Sequence, residues 1–319
     1  MPLPCIAYGT LAAIWSAIDA DGGAQYRGIL RETMPQAEDA YRGKDEGQRA
    51  HLGASVLGNS CDRFLWYSFH WAMQEELPPR LVLLLNRGHI EEARIVALLR
   101  TIGCEVWQHS VDGNQFRVSD HAGHAGGSLD GVLRGIPEAP LLPILGEFKT
   151  HNLRWFTILA GKLQEWEAHL KDPTRNPFTG KGVRATKEEH YAQMQAYMGA
   201  MRIEAALYIA VCKDNDAIYA ELVPFDELTY NRNRERGMYA IASDSLAPRI
   251  SNSPAWHDCK FCKARRVCHE RQLPLKNCRT CESGSPGLSG LWLCSGSFAV
   301  DKAMQAKGCS AYRLHRAFR

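Results

Sequence analysis

The chain has 319 residues, 45% hydrophobic and 23% charged, a composition that excludes disorder and leaves room for a sizeable core. No apolar run approaches the roughly eighteen residues of a membrane helix, so no membrane partner is expected. With 38 Lys and Arg against 35 Asp and Glu the net charge is only +3, and any nucleic-acid contact has to come from a local groove.

Near the N-terminus, "IAYGTLAAIWSAI" lacks a basic leader and is read as a packed helix rather than a secretory signal, which gives a cytoplasmic expectation (host cytoplasm for a phage-encoded chain). The Gly- and charge-rich stretch up to residue 50 carries no readable chemistry. From "HLGASVLGNSCDRFLWYSFHWAM" the texture turns aromatic and helical, and "RGHIEEARIVALLRTIG" spaces apolar residues at 90, 95, 98, 99 and 102 before a glycine stop at Gly103. Strand-like segments follow: "CEVWQH", "QFRVSD", "GSLDGVL" and "PILGEFKTH". A helix through "LRWFTILAGKLQEWEAHL" ends in the basic loop "KDPTRNPFTGKGVRATK", which its prolines and glycines predict to be mobile. The helix "EEHYAQMQAYMGAMRI" has an apolar stripe at 191, 194, 198 and 201; two strands, "AALYIAVCK" and "AIYAELVPF", and a charged helix, "DELTYNRNRERGMYAIAS", complete the pattern. This order predicts an α/β (α+β) layered domain ending near residue 250. Residues 251–319 have too few apolar runs for a core of their own, and metal would have to hold them.

In a strand, alternate side chains point to opposite faces, so Glu147 and Lys149 share one face and Phe148 takes the other. Asp130 and Glu147 on adjacent strands, with a lysine two residues from the second, suit a hard divalent cation, Mg2+ or Mn2+, and hydrolysis of phosphodiesters. A surface hairpin with solvated charges is the plain alternative. Seven of the eleven cysteines follow residue 255. For a large chain with no signal, metal ligation explains them better than disulfides. Cys259, Cys262 and Cys268 form C-x2-C-x5-C, three thiolates that leave one centre a ligand short, with His269 one candidate to complete a zinc site. Cys278 and Cys281, then Cys294 and Cys309, have the look of a zinc ribbon holding Zn2+, His315 being an alternative to Cys309. Cys5, Cys104 and Cys212 are left as free thiols.

These residues resemble the PD-(D/E)XK nuclease superfamily in its RecB and lambda-exonuclease-like branch. Gly88, His89, Glu91 and Glu92 in "RGHIEEAR", Asp130, Glu147 and Lys149 in "GEFKTHN", and Gln193 and Tyr197 in "HYAQMQAY" follow in that family's order over about residues 85 to 225. The resemblance implies a restriction-endonuclease-like core over 85–250, a mixed central sheet flanked by helices, after an N-terminal helical region over 1–84. It implies metal binding by His89 (or Glu92, as in lambda-like members), Asp130, Glu147 and the Phe148 carbonyl. Lys149 would assist the attacking water and contact DNA, and Gln193 and Tyr197 would position the strand. His121, His124 and His151 are read as loop histidines.

One cysteine before the core and C-x2-C-x5-C after it also resemble the [4Fe-4S] nucleases of AddB-like and CRISPR-associated RecB-like type. That likeness implies a cluster on Cys61, Cys259, Cys262 and Cys268 within a segment 251–275, followed by the zinc-ribbon-like tail 276–319. Arg63 and "KARR" at 263–266 would then lie beside the cluster and grip phosphates. The activity implied is exonucleolytic processing of double-stranded DNA ends for phage-type recombination, with a single-strand annealing protein as partner. A structure-specific or CRISPR-adaptation-like endonuclease is the alternative within the class, and a DNA-binding scaffold with a vestigial core the alternative outside it.

Overall fold

The computed structural model describes residues 3–37, 40, 48–73 and 78–319; residues 38, 39 and 41–47 of the Gly- and charge-rich stretch, with 1, 2 and 74–77, lie outside the described residues. The chain divides into two compact units, one drawn from Met1–Asp45, Leu77–Arg117 and Ser128–Asp226, the other from Glu46–Glu76, Val118–Gly127 and Glu227–Arg319. Among the described residues no helix is long and apolar enough to cross a membrane.

The first unit contains, in chain order, β1 (Cys5–Ile6), α1 (Tyr8–Asp21), α2 (Ala24–Thr33), α3 (Pro79–Thr101), β2 (Glu105–Trp107), β3 (Gly131–Arg134), β4 (Ile144–His151), α4 (Leu153–Ala160), α5 (Leu163–Lys171), α6 (Gly182–Thr186), α7 (Glu188–Met201), β5 (Ala205–Cys212) and β6 (Ile218–Pro224). The strands form one six-stranded mixed sheet in the order β1-β6-β5-β4-β3-β2. Only β4 and β5 pair in parallel, with Glu147 opposite Tyr208 and Lys149 opposite Ala210. A parallel pair needs a long crossover, and α4 to α7 supply it. Both strands read as near-continuous apolar runs because both sheet faces are covered: Leu145, Phe148, Leu207 and Ile209 are all buried.

Three sequence expectations change in the structure. "GSLDGVL" is not one strand. The chain breaks at Leu129 and Asp130, where the Leu129 N–H donates to the Phe116 carbonyl at 2.9 Å, so Asp130 stands at the entry of β3. The helix expected through 153–170 is two helices, parted at Gly161, whose φ of +99° and close approach to Thr179, 2.2 Å from where a Cβ would sit, admit no side chain. The basic loop is tied down and partly helical: Lys181 N–H donates to the Ile158 carbonyl at 3.0 Å, and Val183 N–H, in α6, to Glu221 Oε2 at 2.8 Å.

In the second unit, helix Asp62–Phe69 and the charged helix Glu227–Ala242 are joined by Arg236, which ion-pairs with Asp62 at 2.6 Å. A three-stranded antiparallel sheet, Gly284–Pro286, Trp292–Cys294 and Phe298–Val300, forms near the C-terminus. What the sequence did not announce is its anchor. Arg279, 1% exposed, donates to the carbonyls of Phe69 at 3.0 Å and Ala50 at 2.7 Å and to Gln305 Oε1 at 2.8 Å. Its guanidinium lies 3.9 Å from the Trp71 ring centre and 4.7 Å from that of Trp292. Burial alone pulls its pKa down to about 9.

Candidate active site

The site grows from β4. Its alternation turns Glu147, Lys149 and His151 to one face, while Phe148, 2% exposed, fills the core on the other. Asp130 arrives beside it from the break before β3. Asp130 Oδ2 accepts the Phe148 N–H at 2.7 Å and the Lys149 Nζ at 3.3 Å, and Nζ also donates to the Phe148 carbonyl at 3.1 Å and ion-pairs with Glu147. The backbone amide between Glu147 and Lys149 therefore holds Asp130, fixing the three groups relative to one another.

Helix α3 adds a third carboxylate. His89 and Glu92 are one turn apart, with Nδ1 and Oε1 separated by 3.6 Å. Burial raises the Glu92 pKa, its hydrogen bond to His89 opposes this, and the charge of Asp130 raises it further, while Lys149 lowers it. Glu92 thus feels the Asp130 and Lys149 charges directly, and His89 acts on Glu92. Both also border a cavity of about 60 Å³ whose other walls include Thr33, Gln36, Gln108 and Gln115.

Glu147 is wholly buried, and its pKa is pushed up to about 8 by burial, with Lys149 pulling it down and Asp130 and Glu92 adding to the rise. Burial works against the Lys149 charge, yet Asp130, Glu147 and Glu92 together hold it well above the usual lysine value. Three carboxylates against one ammonium leave two negative charges when all are ionised, the balance a divalent cation matches. Glu147 Oε2 is buried without a hydrogen-bond partner, as an oxygen reserved for a cation would be. In donor type and charge these residues fit Mg2+ or Mn2+. Among the described residues, no three His, Cys, Asp or Glu side chains converge closely enough to hold one ion as placed.

On α7, Gln193 Nε2 donates to the Tyr197 hydroxyl at 3.2 Å, and both residues are buried. Burial raises the Tyr197 pKa, and the charges of Glu147 and Asp130 add to it, so this phenol borders the acidic cluster. Sequence reasoning missed the groups one step further along both elements. His151 is a strand residue, 5% exposed, not a loop histidine; its Nε2 lies 2.9 Å from the Tyr208 hydroxyl, and His190 Nδ1 lies 3.0 Å from that same oxygen. The two imidazoles stack with centres 5.8 Å apart. The signal was present: His151 continues the Glu147–Lys149 alternation, and His190 precedes Gln193 by three residues. His121 lies in a short 3-10 turn and His124 just after it, its Nε2 on the Gly287 carbonyl at 2.8 Å.

In the second unit, burial raises the Cys259 pKa, and Cys61 and Cys268 act on it as nearby charges; Cys262 responds likewise to Cys61, Cys268 and Cys259. Cys278 is raised by burial and then by Cys309, Cys281 and Cys294. These thiols act on one another as charges, but among the described residues no three of them converge closely enough to hold one metal ion as placed. Cys278 and Cys281 flank a tight 3-10 turn, and Gly284 passes so close that a Cβ there would stand 2.0 Å from the Cys278 carbonyl. Arg63 Nε is engaged by the Ala247 carbonyl at 2.6 Å, Arg265 pairs with Glu270 at 3.0 Å, and burial followed by Arg249, Arg265 and Arg63 lowers the His269 pKa.

No family model matches the chain, and no curated protein matches it. Among solved structures it is similar to SSO0001 (TM-score 0.36, 18% identity, covering 76% of this chain and 94% of that one). It is also similar to LHK-Exo in complex with dAMP (TM-score 0.37, 14% identity, 60% and 86% covered). A further match is the alkaline exonuclease LHK-Exo from Laribacter hongkongensis (TM-score 0.36, 13% identity, 60% and 87% covered).

Proposed function

We propose that the chain is a Mg2+- or Mn2+-dependent deoxyribonuclease, an exonuclease that processes double-stranded DNA ends in phage-type recombination beside a single-strand annealing partner. The observation that carries this reading is the bond from the Phe148 amide to Asp130, which ties the two carboxylates and Lys149 into one unit. Asp130, Glu147 and Glu92, the last steadied by His89, would hold the cation, with the Phe148 carbonyl as a further oxygen. Bound there, a divalent ion supplies a Lewis acid for a phosphate oxygen and eases deprotonation of water. Lys149, kept charged by its carboxylate neighbours, offsets negative charge that develops on the phosphate and orients the attacking water. Gln193 and Tyr197 offer an amide and a phenol to the strand from α7.

The same proposal assigns Cys61, Cys259, Cys262 and Cys268 to a [4Fe-4S] cluster and Cys278, Cys281, Cys294 and Cys309 to Zn2+, with Arg63 contacting DNA nearby. The spacing of the cysteines, C-x2-C-x5-C at 259–268 and C-x2-C at 278–281, supports it. Protein purified without oxygen should be brown and contain about four irons and one zinc per chain. Colourless protein with two zincs moves Cys61 out and brings His269 in.

Digestion of linear against closed circular DNA with magnesium, with manganese and with neither tests the activity. Loss of linear DNA alone is expected; nicking of the circle makes the protein an endonuclease, and no cleavage with either metal overturns the enzymatic reading.

A further inference from the structure

Beyond Lys149, the polar face of β4 continues to His151, and around that point cations collect with nearby carboxylates acting on them only at a distance. Lys213 directly follows β5, and its N–H donates to the His151 carbonyl at 2.8 Å. Arg87 Nη2 donates to the Lys213 carbonyl at 2.6 Å. Lys187, just before α7, sits with its ammonium 3.6 Å from the ring centre of Trp155, which is 39% exposed in the first turn of α4. Among the described residues neither Lys187 nor Lys213 forms an ion pair; Glu189 and Asp214 are near enough only to be felt as charges.

This crowding has a cost. Burial first, and then Lys187, Lys149 and Lys213, push the His151 pKa down to about 4; burial, Lys149, His151 and Lys187 push that of His190 down to about 2. Like charges gathered at the carboxyl ends of the two parallel strands, with a half-exposed indole among them, form the setting in which α/β sheets bind ligands. A polyanion relieves the repulsion, and a flat aromatic group matches the indole. Nucleic acid with an unpaired base has both; inorganic phosphate has only the first.

We propose that Arg87, Lys187, Lys213 and Trp155 form a lane at the carboxyl ends of β4 and β5 that takes single-stranded nucleic acid running on from the Asp130–Glu147–Lys149 cluster. The lysines and Arg87 contact successive phosphates, and the exposed part of Trp155 stacks one base. The direction of the strand rests on the nuclease reading; the lane itself does not.

Full-length protein, with calcium in place of magnesium, is titrated with a labelled oligothymidylate of about twelve nucleotides, within the site sizes usual for such grooves. Each phosphate contact on a single strand contributes about 0.7 to the slope of log affinity against log salt. The double variant Lys187→Ala/Lys213→Ala should lower that slope by about 1.4, whereas the control Lys162→Ala/Lys171→Ala, which removes the same charge from exposed positions at the two ends of α5, leaves it unchanged. Trp155→Leu should weaken binding roughly five- to hundred-fold at constant slope. Equal slopes for the two double variants, or wild-type affinity in Trp155→Leu, overturn the lane. These readouts need no cleavage: a wild type that never cuts DNA sinks the nuclease reading and leaves the lane standing or falling on its own slopes.

Discussion

Replacing Asp130 by Asn separates the fold from the chemistry at the point where the two meet. The carboxylate accepts from Phe148 N–H at 2.7 Å and Lys149 Nζ at 3.3 Å, and an amide oxygen in the same place keeps both bonds. The Phe148 bond falls from a charge-assisted one, about 1.5–3 kcal/mol, to a neutral one of about 0.5–1.5, while the Lys149 bond stays charge-assisted through its ammonium but loses the opposite charge. Relief of repulsion with Glu147 and Glu92 works in the other direction, so the metal-free protein should change by no more than about 2 kcal/mol. The charge of the cluster, however, drops from two negatives to one. At a magnesium concentration a hundred times its dissociation constant the wild type gains about 2.7 kcal/mol, which raises the midpoint of thermal unfolding by about 5 °C. Asp130→Asn should lose that shift, and its cleavage rate should fall about a thousand-fold, as expected when several kcal/mol of Lewis-acid stabilisation disappear. Thermal melts with and without magnesium and a DNA digestion series read both effects. A variant that keeps the full magnesium shift, or cuts within tenfold of the wild type, refutes the reasoning.

Tyr208→Phe removes the hydroxyl shared by His151 and His190 in a wholly buried position and should cost about 1–3 kcal/mol in urea unfolding; an unchanged midpoint would show that the two histidines do not depend on it. Arg279→Lys keeps the charge but not the fork, so the two buried acceptors, the Phe69 carbonyl and Gln305 Oε1, and the part-buried Ala50 carbonyl no longer share one donor group, and a loss of about 2–4 kcal/mol is expected. His70 is buried, bonded through Nδ1 to the Trp66 carbonyl at 2.9 Å, and its pKa is pushed down to about 3 by burial and then by the charges of His315 and Arg279. The unfolded chain takes up this proton near pH 6.5 and the folded one only near 3, so His70 lowers stability as pH falls between those values. Between pH 7 and 5 this amounts to about 2 kcal/mol, and urea titrations should show a flatter pH dependence in His70→Gln.

The placement of the acidic pair and the lysine was legible because strand alternation is a local rule: Glu147 and Lys149 share a face wherever β4 lies. The choice between His89 and Glu92 was not. Residues three apart on a helix lie on the same face, so spacing does not separate them, and only the packing of α3 against the sheet can. "GSLDGVL" misled for a related reason, since its period of two continues across Leu129, whose pairing with Phe116 comes from a distant turn.

Periodicity and spacing in the chain alone determined most of the helices and strands of the first unit and the face of β4 that carries charge. Those are properties of neighbours along the backbone. Tertiary structure decided that Asp130 is held by an amide of β4, that Tyr208 joins two histidines from different elements, and that Arg279 enters an apolar cage. Each of these brings together residues between 18 and 229 positions apart, where no local rule reaches and only packing and the need to satisfy buried polar groups select the partner.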